Sequence, residues 1–114
     1  DMARKGVDLR AVAAYHASLT QTIPATPGTI KAKVRVFNGA DDPFIKPDKL
    51  ATLKEGMKTA GADFEYINYP GVTHSFTSKR ATEKGKKFSL PLKYDADADA
   101  DSWAKTLDLL KGVF

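Results

Sequence analysis

The sequence contains no cysteine and no long apolar segment, and each absence excludes a class of protein. Without cysteine, the chain has neither a disulfide framework nor a metal site built on thiolates. No apolar run approaches the ~18 residues that a membrane-spanning helix needs, so we expect no membrane partner. We expect a cytoplasmic location and leave an upstream signal peptide open, because the chain opens with Asp1-Met2 rather than with an initiator methionine.

The composition is that of an ordinary globular chain. With 114 residues, of which 42% are hydrophobic and 28% charged, residues 1–114 fit a single domain or part of one. The net charge of +4 is mild. The densest basic cluster lies in a polar stretch without interleaved aromatic residues, so we expect no nucleic-acid partner. Its members are Lys79, Arg80, Lys84, Lys86 and Lys87.

The order of apolar runs and turn residues predicts an α/β chain with a mostly parallel sheet and flanking helices. A helix is predicted to begin at Pro47, to bury Leu50, Leu53 and Met57 on one face, and to end at Gly61. It separates two predicted strands, which favours a parallel sheet with a crossover connection. The three predicted strands cover residues 9–14, 34–37 and 64–69.

The remaining segments are less regular. Residues 1–5 are typical of the last turn of a helix that stops at Gly6, and residues 20–28 are predicted to form a loop around two prolines. Residues 77–93 are polar, so we expect irregular structure there. An apolar stripe predicts a C-terminal helix, and it is formed by Trp103, Leu107 and Leu110.

Alternating aspartates from Asp95 to Asp101 resemble the opening of a calcium-binding loop. The loop pattern then fails, because Ala100 stands where glycine is needed and Thr106 where a bidentate glutamate is needed. We interpret these acids as complements to the positive end of the following helix, with Asp99 or Asp101 as its cap. The sequence therefore predicts no metal.

Asp42 and His74 each lie on a turn that follows a predicted strand. Because the carboxyl ends of parallel strands carry the functional groups of open α/β sheets, the two side chains are candidates for an acid–histidine pair. In that pair the histidine accepts and returns a proton while the acid orients it. Taken singly, Asp42 is better explained as a turn residue before proline, and His74 is explained equally well as a structural loop residue. Asp41 competes with Asp42, but the Asp-Pro-Phe context favours Asp42.

Four aromatic or imidazole side chains are candidates for substrate contact. Tyr15 and His16 follow the first predicted strand, and packing explains them better than a pocket wall does. Phe44 and Phe76 lie next to the acid and the histidine along the chain. A metal held by the two histidines of the chain is disfavoured, because no set of carboxylates is spaced to complete it.

These segments resemble the C-terminal half of the dienelactone hydrolase family. The matching stretches are residues 36–45, 69–76, 85–88 and 94–103. The resemblance implies part of an α/β-hydrolase fold and the hydrolysis of a small carboxylic ester or lactone, without a metal or organic cofactor. It assigns the acid of a nucleophile–acid–histidine triad to Asp42 and the base to His74.

The sequence departs from the family pattern at two points. It has no Gly-x-Ser-x-Gly or Gly-x-Cys-x-Gly elbow, so the resemblance implies a nucleophile upstream of Asp1. Ser78 occupies the position of an arginine that holds the substrate carboxylate in dienelactone-cleaving members, so a neutral or differently charged ester is as consistent as dienelactone. Ser75 adjoins the histidine and lacks an elbow, which disfavours it as a local nucleophile.

Two hypotheses compete. In the first, the chain is the C-terminal part of an esterase or lactonase and its nucleophile lies upstream. In the second, the chain is a non-catalytic module, because half a parallel sheet leaves an open strand edge. That module would form a homo-oligomer or associate with the missing N-terminal half.

Overall fold

Three parallel strands form one sheet, in the spatial order β1-β2-β3. The computed structural model describes all residues from Asp1 to Phe114. The strands are β1 (Ala11–Tyr15), β2 (Lys33–Gly39) and β3 (Phe64–Tyr69), and the helices are α1 (Pro47–Thr59), α2 (Ala81–Phe88) and α3 (Ala96–Lys111). The α/β class and the parallel sheet predicted from the sequence are confirmed.

The register of the sheet brings the carboxyl ends of the strands together. Tyr15 is paired with Phe37, and Gly39 with Tyr69, so the loops after all three strands leave the same edge. Strand β1 pairs on one side only, with β2, and its other edge is free. The loops that follow the carboxyl ends of the strands carry the candidate site.

Each face of the sheet is covered by different elements. On one face, alternate residues of β2 pack against α1, and the buried members of this core include Val34, Val36, Leu53 and Met57. The opposite face packs against α3 and the loop after β3, and its buried members are Phe37, Val72, Phe76 and Ala98. The two-residue period of the strands accounts for this division.

Helix α1 is bounded as the sequence predicts. Pro47 is its first residue, where the missing N–H costs no hydrogen bond. The helix ends at Thr59 with Ala60 as its cap, and Gly61 follows with a φ of 67°, a left-handed conformation that glycine adopts without strain. At the N-terminus, the Lys5 amide donates to the Asp1 carbonyl at 3.0 Å, and Gly6 again has a positive φ, so this segment is a single helical turn.

Helix α2 corrects the expectation of irregular structure over residues 77–93. It buries Ala81 and Gly85, four residues apart and therefore on one face. A Cβ at Gly85 would lie 2.3 Å from the Leu92 carbonyl oxygen, so the chain approaches the helix where a side chain is absent. Apolar periodicity does not reveal such a helix, because its contact surface is made by small residues.

Helix α3 exists as predicted, but its apolar stripe does not face the core. The side chain of Trp103 is 57% exposed, and Leu107 and Leu110 are exposed as well. The helix instead packs through a narrow face of small side chains, which lets it lie close to the aromatic residues of the sheet. The buried residues are Ala98, Ser102, Thr106 and Leu109.

The N-terminal cap of α3 is Asp95 rather than Asp99 or Asp101. Its carboxylate accepts a hydrogen bond from the Ala98 amide at 2.9 Å. The helix therefore begins earlier than expected, and Asp97 and Asp99 lie in its first turn near the positive end of the helix dipole.

Candidate active site

The loops after β2 and β3 are joined at Gly39, the last residue of β2. A Cβ at this position would lie 2.1 Å from the Val72 carbonyl oxygen, so the two loops approach each other as closely as they do because Gly39 has no side chain. The Asp41 amide donates to the same Val72 carbonyl at 3.0 Å, and the Ala40 amide donates to the Tyr69 carbonyl at 2.8 Å. These contacts set the relative position of the acid and histidine loops.

Asp42 and His74 form a hydrogen-bonded pair at this junction. The Nδ1 atom of His74 lies 2.7 Å from Oδ2 of Asp42, whose side chain has no exposed surface. The second oxygen, Oδ1, accepts a hydrogen bond from the Phe44 amide at 2.9 Å. Both carboxylate oxygens are thus satisfied, as a buried carboxylate requires. An acceptor at Nδ1 favours the tautomer that leaves Nε2 unprotonated.

The backbone on both sides of His74 is also fixed. Leu92 forms an isolated parallel bridge with His74, and the Lys93 amide donates to the His74 carbonyl at 3.3 Å. Ser75 follows with a left-handed φ of 62°, which turns the chain sharply after the histidine. The imidazole is 25% exposed, and its Nε2 makes no hydrogen bond within the chain. This atom is therefore free to exchange a proton with another group.

Two rings contact the His74 imidazole edge-to-face. The ring centroid of His16 lies 5.4 Å away and that of Phe44 lies 5.1 Å away. His16 is held by Phe76, at 5.7 Å, and by a hydrogen bond of 3.0 Å between its Nε2 and Oγ1 of Thr77. Burial lowers the pKa of His16 below its usual value, and the neighbouring His74 lowers it further.

The four predicted substrate contacts separate into two groups. His16 and Phe44 border the exposed part of His74, and Phe44 is itself 54% exposed. Phe76 has no exposed surface and belongs to the core below α3, so its contact with a substrate stays a prediction that this burial does not support.

Tyr15 has the contacts of a structural residue. Its ring stacks on Phe37 at 5.1 Å. Its hydroxyl interacts with Thr106 and reaches the Ser102 carbonyl at 3.4 Å, which ties β1 to α3. Contact of Tyr15 with a substrate stays a prediction.

Sequence reasoning missed two residues that support the site. Asn38 is fully buried at the end of β2, where its side-chain amide accepts from the Ala17 amide at 2.9 Å and donates to the Ala17 carbonyl at 3.2 Å. It thereby holds the chain next to His16. A polar residue at the end of an apolar strand was the available signal. Thr77, the partner of His16, had none, because the contact joins residues far apart in the sequence.

Neither a local nucleophile nor a metal centre completes the pair. Ser75 follows His74 directly in the chain and makes no hydrogen bond to it. No group of three or more potential metal ligands lies close together. A groove of about 350 Å³ lies beside β1 on the α1 side of the sheet, where it is lined by Val12, Ala14 and neighbouring apolar residues, and the candidate pair does not line it.

Comparison with known proteins assigns the chain to a family. A family model described as the dienelactone hydrolase family matches residues 1–114. The chain belongs to the dienelactone hydrolase family. Its resemblance to this family, inferred from four short segments, is therefore confirmed, as is its hydrolase-type fold.

Three relatives illustrate the extent of the match within the dienelactone hydrolase family. An uncharacterized protein of Caenorhabditis elegans is 30% identical over 117 residues, covering 100% of this chain and 72% of its own length. A dienelactone hydrolase-like promiscuous phosphotriesterase from metagenomic libraries superposes with a TM-score of 0.88. A protein called m3DLH superposes with a TM-score of 0.89. Both structures are 29% identical to this chain and cover 99% of it.

The chain spans 46% of each of these two solved structures. Membership of the family supports a hydrolase kind of function at the level of the family. None of the three helices combines the length and apolarity that a membrane crossing requires.

Proposed function

We propose that this chain supplies the acid and the histidine of a nucleophile–acid–histidine triad in a carboxylic ester or lactone hydrolase. The observation that carries the proposal is the 2.7 Å hydrogen bond between Nδ1 of His74 and the buried carboxylate of Asp42. The same pair leaves Nε2 partly accessible and without a partner. This is the geometry that a general base requires.

The proposed mechanism assigns one task to each residue. Nε2 of His74 takes the proton of a serine or cysteine nucleophile and later returns it to the leaving group. Asp42 remains ionised, keeps the imidazole in one tautomer and stabilises the imidazolium that forms between these steps. The nucleophile comes from outside residues 1–114, from a family elbow in the whole protein. The residues present require no metal or organic cofactor for this chemistry.

The surroundings of His74 fit a small neutral or differently charged ester as well as dienelactone. Phe44 and His16 present aromatic edges at the exposed part of the imidazole. Ser78, an exposed residue, offers no guanidinium for a substrate carboxylate. The metagenomic relative is described as a promiscuous phosphotriesterase, so phosphotriesters join carboxylic esters and lactones among the substrates proposed for the whole protein.

Hydrolysis of p-nitrophenyl acetate by the protein at its natural length tests the proposal. Intact mass under denaturing conditions first establishes that length, because the 114-residue chain alone has a mass of 12.4 kDa. We expect His74→Ala to lower kcat/KM by about 10⁴-fold, the scale set by loss of one triad member. Asp42→Asn should also lower kcat/KM. Its matched control is Asp41→Asn, since Asp41 is exposed and adjacent to Asp42. Undiminished turnover in a folded His74→Ala variant would refute the proposal.

A second candidate function is favoured by the free edge of β1. A chain that acts alone has no nucleophile for triad catalysis, and the free edge of β1 and the exposed apolar residues suit association with another chain. In this alternative the chain is a non-catalytic module that forms a homo-oligomer or binds the other half of the fold. A folded monomer at all concentrations would exclude the homo-oligomer.

A further inference from the structure

Residues 79–93, which we call the basic segment, concentrate the positive charge of the chain. They contain six cationic side chains and one acidic side chain, Glu83, for a net charge of +5. Since the whole chain carries +4, all other residues together carry −1. The cations are Lys79, Arg80, Lys84, Lys86, Lys87 and Lys93.

The charges of the basic segment are exposed and uncompensated. All six cationic residues are exposed, and none has a carboxylate within 4.0 Å of its charged group. Elsewhere in the chain, Arg35 and Lys105 do form such pairs. A cluster of unpaired cations creates a local positive potential that attracts a polyanion.

Exposed apolar side chains accompany these cations. Phe88 is 59% exposed and Leu90 is 47% exposed, and they flank Ser89, which turns the chain in the left-handed conformation. The ammonium of Lys87 lies 5.4 Å from the centre of the Phe88 ring. Close packing of Gly85 against the carbonyls of residues 90 and 92 ties this turn to α2. The basic segment therefore presents lysines and apolar side chains together on an ordered turn.

We propose that the basic segment docks on the anionic surface of a lipid bilayer. Lysine and arginine near such a surface are attracted by acidic headgroups, while exposed aromatic and aliphatic side chains enter the boundary between headgroups and acyl chains. Phe88 is the single aromatic residue of the basic segment, and Leu90 and Pro91 beside it are not aromatic, so the surface offers no series of rings for successive nucleic-acid bases and a bilayer fits it better. The expectation of no membrane partner was based on the absence of a membrane-spanning segment, and peripheral docking does not require such a segment.

Docking would hold the candidate active site close to the lipid. The basic segment begins five residues after His74 and returns to it through the Leu92 bridge and the Lys93 amide. This inference goes beyond the proposed hydrolase function and does not depend on it. A non-catalytic chain would dock in the same way.

Vesicle co-sedimentation of the protein at its natural length tests the proposal. Vesicles of phosphatidylcholine alone are compared with vesicles in which a quarter of the lipid is phosphatidylserine. Each cation near an anionic leaflet contributes about 1 kcal/mol, or roughly fivefold in affinity. We therefore expect a triple Lys84→Gln, Lys86→Gln, Lys87→Gln variant to bind the anionic vesicles about 100-fold more weakly. Glutamine has nearly the helix propensity of lysine, so α2 is retained.

A matched variant separates a local surface from total charge. Lys46→Gln, Lys49→Gln, Lys58→Gln removes the same number of exposed cations at and around α1. We expect it to retain most of the wild-type affinity. If it weakens binding as much as the α2 variant, attraction is due to net charge and the proposal is overturned.

A second pair of substitutions tests the apolar contribution. A Phe88→Ser, Leu90→Ser variant should lose roughly tenfold in vesicle affinity, because exposed apolar area no longer enters the interface. The same variant should bind a DNA duplex as the wild type does. Two outcomes would contradict a lipid surface. In one, the protein binds anionic vesicles and DNA equally strongly and the variant changes neither affinity. In the other, the protein binds the two kinds of vesicle equally well.

Discussion

At the scale of single residues, the candidate site depends on the two hydrogen bonds of the Asp42 carboxylate. One is made with the His74 ring and the other with the Phe44 amide. The acid–histidine pair was predictable, because both residues follow strands and their order suits a parallel sheet. The hydrogen-bond partners of Asn38 and Thr77 were not predictable, because only the folded loops bring them near. Asn38, a polar residue at the end of an apolar strand, carried a signal, and Thr77 carried none.

The tautomer of His74 provides a first prediction. In the wild-type chain at neutral pH we expect the proton on Nδ1, because the Asp42 carboxylate can only accept there. In Asp42→Asn the amide can also donate, so the proton should shift towards Nε2. Long-range ¹H–¹⁵N NMR of the imidazole distinguishes the two forms. Asp41→Asn is the control and should match the wild type. An unchanged tautomer in Asp42→Asn would contradict the assigned role.

His16 provides a second prediction, on the pH dependence of stability. Burial and His74 lower the pKa of His16 from 6.5, so protonation favours the unfolded chain. The contribution of His16 to the free energy of unfolding is therefore fully present above pH 6.5 and is lost as the pH falls through the lowered pKa. His16→Asn removes this group, and asparagine tolerates the positive φ of 35° at this position.

Urea unfolding over a series of pH values measures the effect. We expect the stability of His16→Asn to decline less steeply on acidification than that of the wild type. His74 and Asp42 face His16 and are present in both proteins. Parallel stability curves would show that protonation of His16 does not oppose folding.

At the scale of elements, predictability followed the size of the buried side chains. The strands and α1 bury valine, leucine and methionine with periods of two and 3.6 residues, and proline and glycine mark their limits. Helices α2 and α3 pack instead mainly through alanine, glycine, serine and threonine, with Leu109 as the one large apolar residue that α3 buries. Trp103, Leu107 and Leu110 lie on the exposed side of α3, so this apolar stripe indicated the helix correctly and its packing face incorrectly.

Gly39 provides a third prediction at this scale. In Gly39→Ala the new Cβ would lie 2.1 Å from the Val72 carbonyl oxygen, and backbone cannot yield as a flexible side chain can. The acid and histidine loops must separate, at a cost of about 2–3 kcal/mol in the free energy of unfolding. The resonances of His74 should shift with them.

Gly56→Ala is the matched control, because its Cβ would meet only ordinary contacts of 3.9 Å inside α1. Helix propensity predicts that it stabilises the chain by about 0.5–1 kcal/mol. Chemical unfolding measures the change in the free energy of unfolding for both variants. If Gly39→Ala were as stable as the wild type, the close approach of the two loops would not be required for folding.

At the scale of the whole molecule, apolar surface and an unpaired strand edge are exposed together. Met2, Trp103 and Phe114 are 60%, 57% and 87% exposed, and every residue of β1 is only partly buried although its sequence is almost entirely apolar. Strands of parallel sheets are normally paired and covered on both faces. This surface underlies the proposed association with another chain.

The free edge of β1 provides the last prediction. In a parallel ladder, alternate residues direct their backbone groups to one neighbour. Arg10 accepts from Lys33 and His16 donates to Phe37, so the even-numbered residues of β1 pair with β2 and the odd-numbered ones face outward. Ala13→Pro therefore removes an outward donor and spares the pairing with β2. Proline is tolerated on an edge strand in this orientation.

We expect the wild-type chain to associate in a concentration-dependent manner in sedimentation velocity, and Ala13→Pro to remain monomeric and folded. Ala14→Pro differs by one position and removes a bond to β2, so it should unfold the sheet, as far-UV circular dichroism would show. If Ala13→Pro associates as strongly as the wild type, the contact does not use the edge of β1. The free edge of β3 or the exposed side of α3, with Trp103 at its centre, would then join two chains.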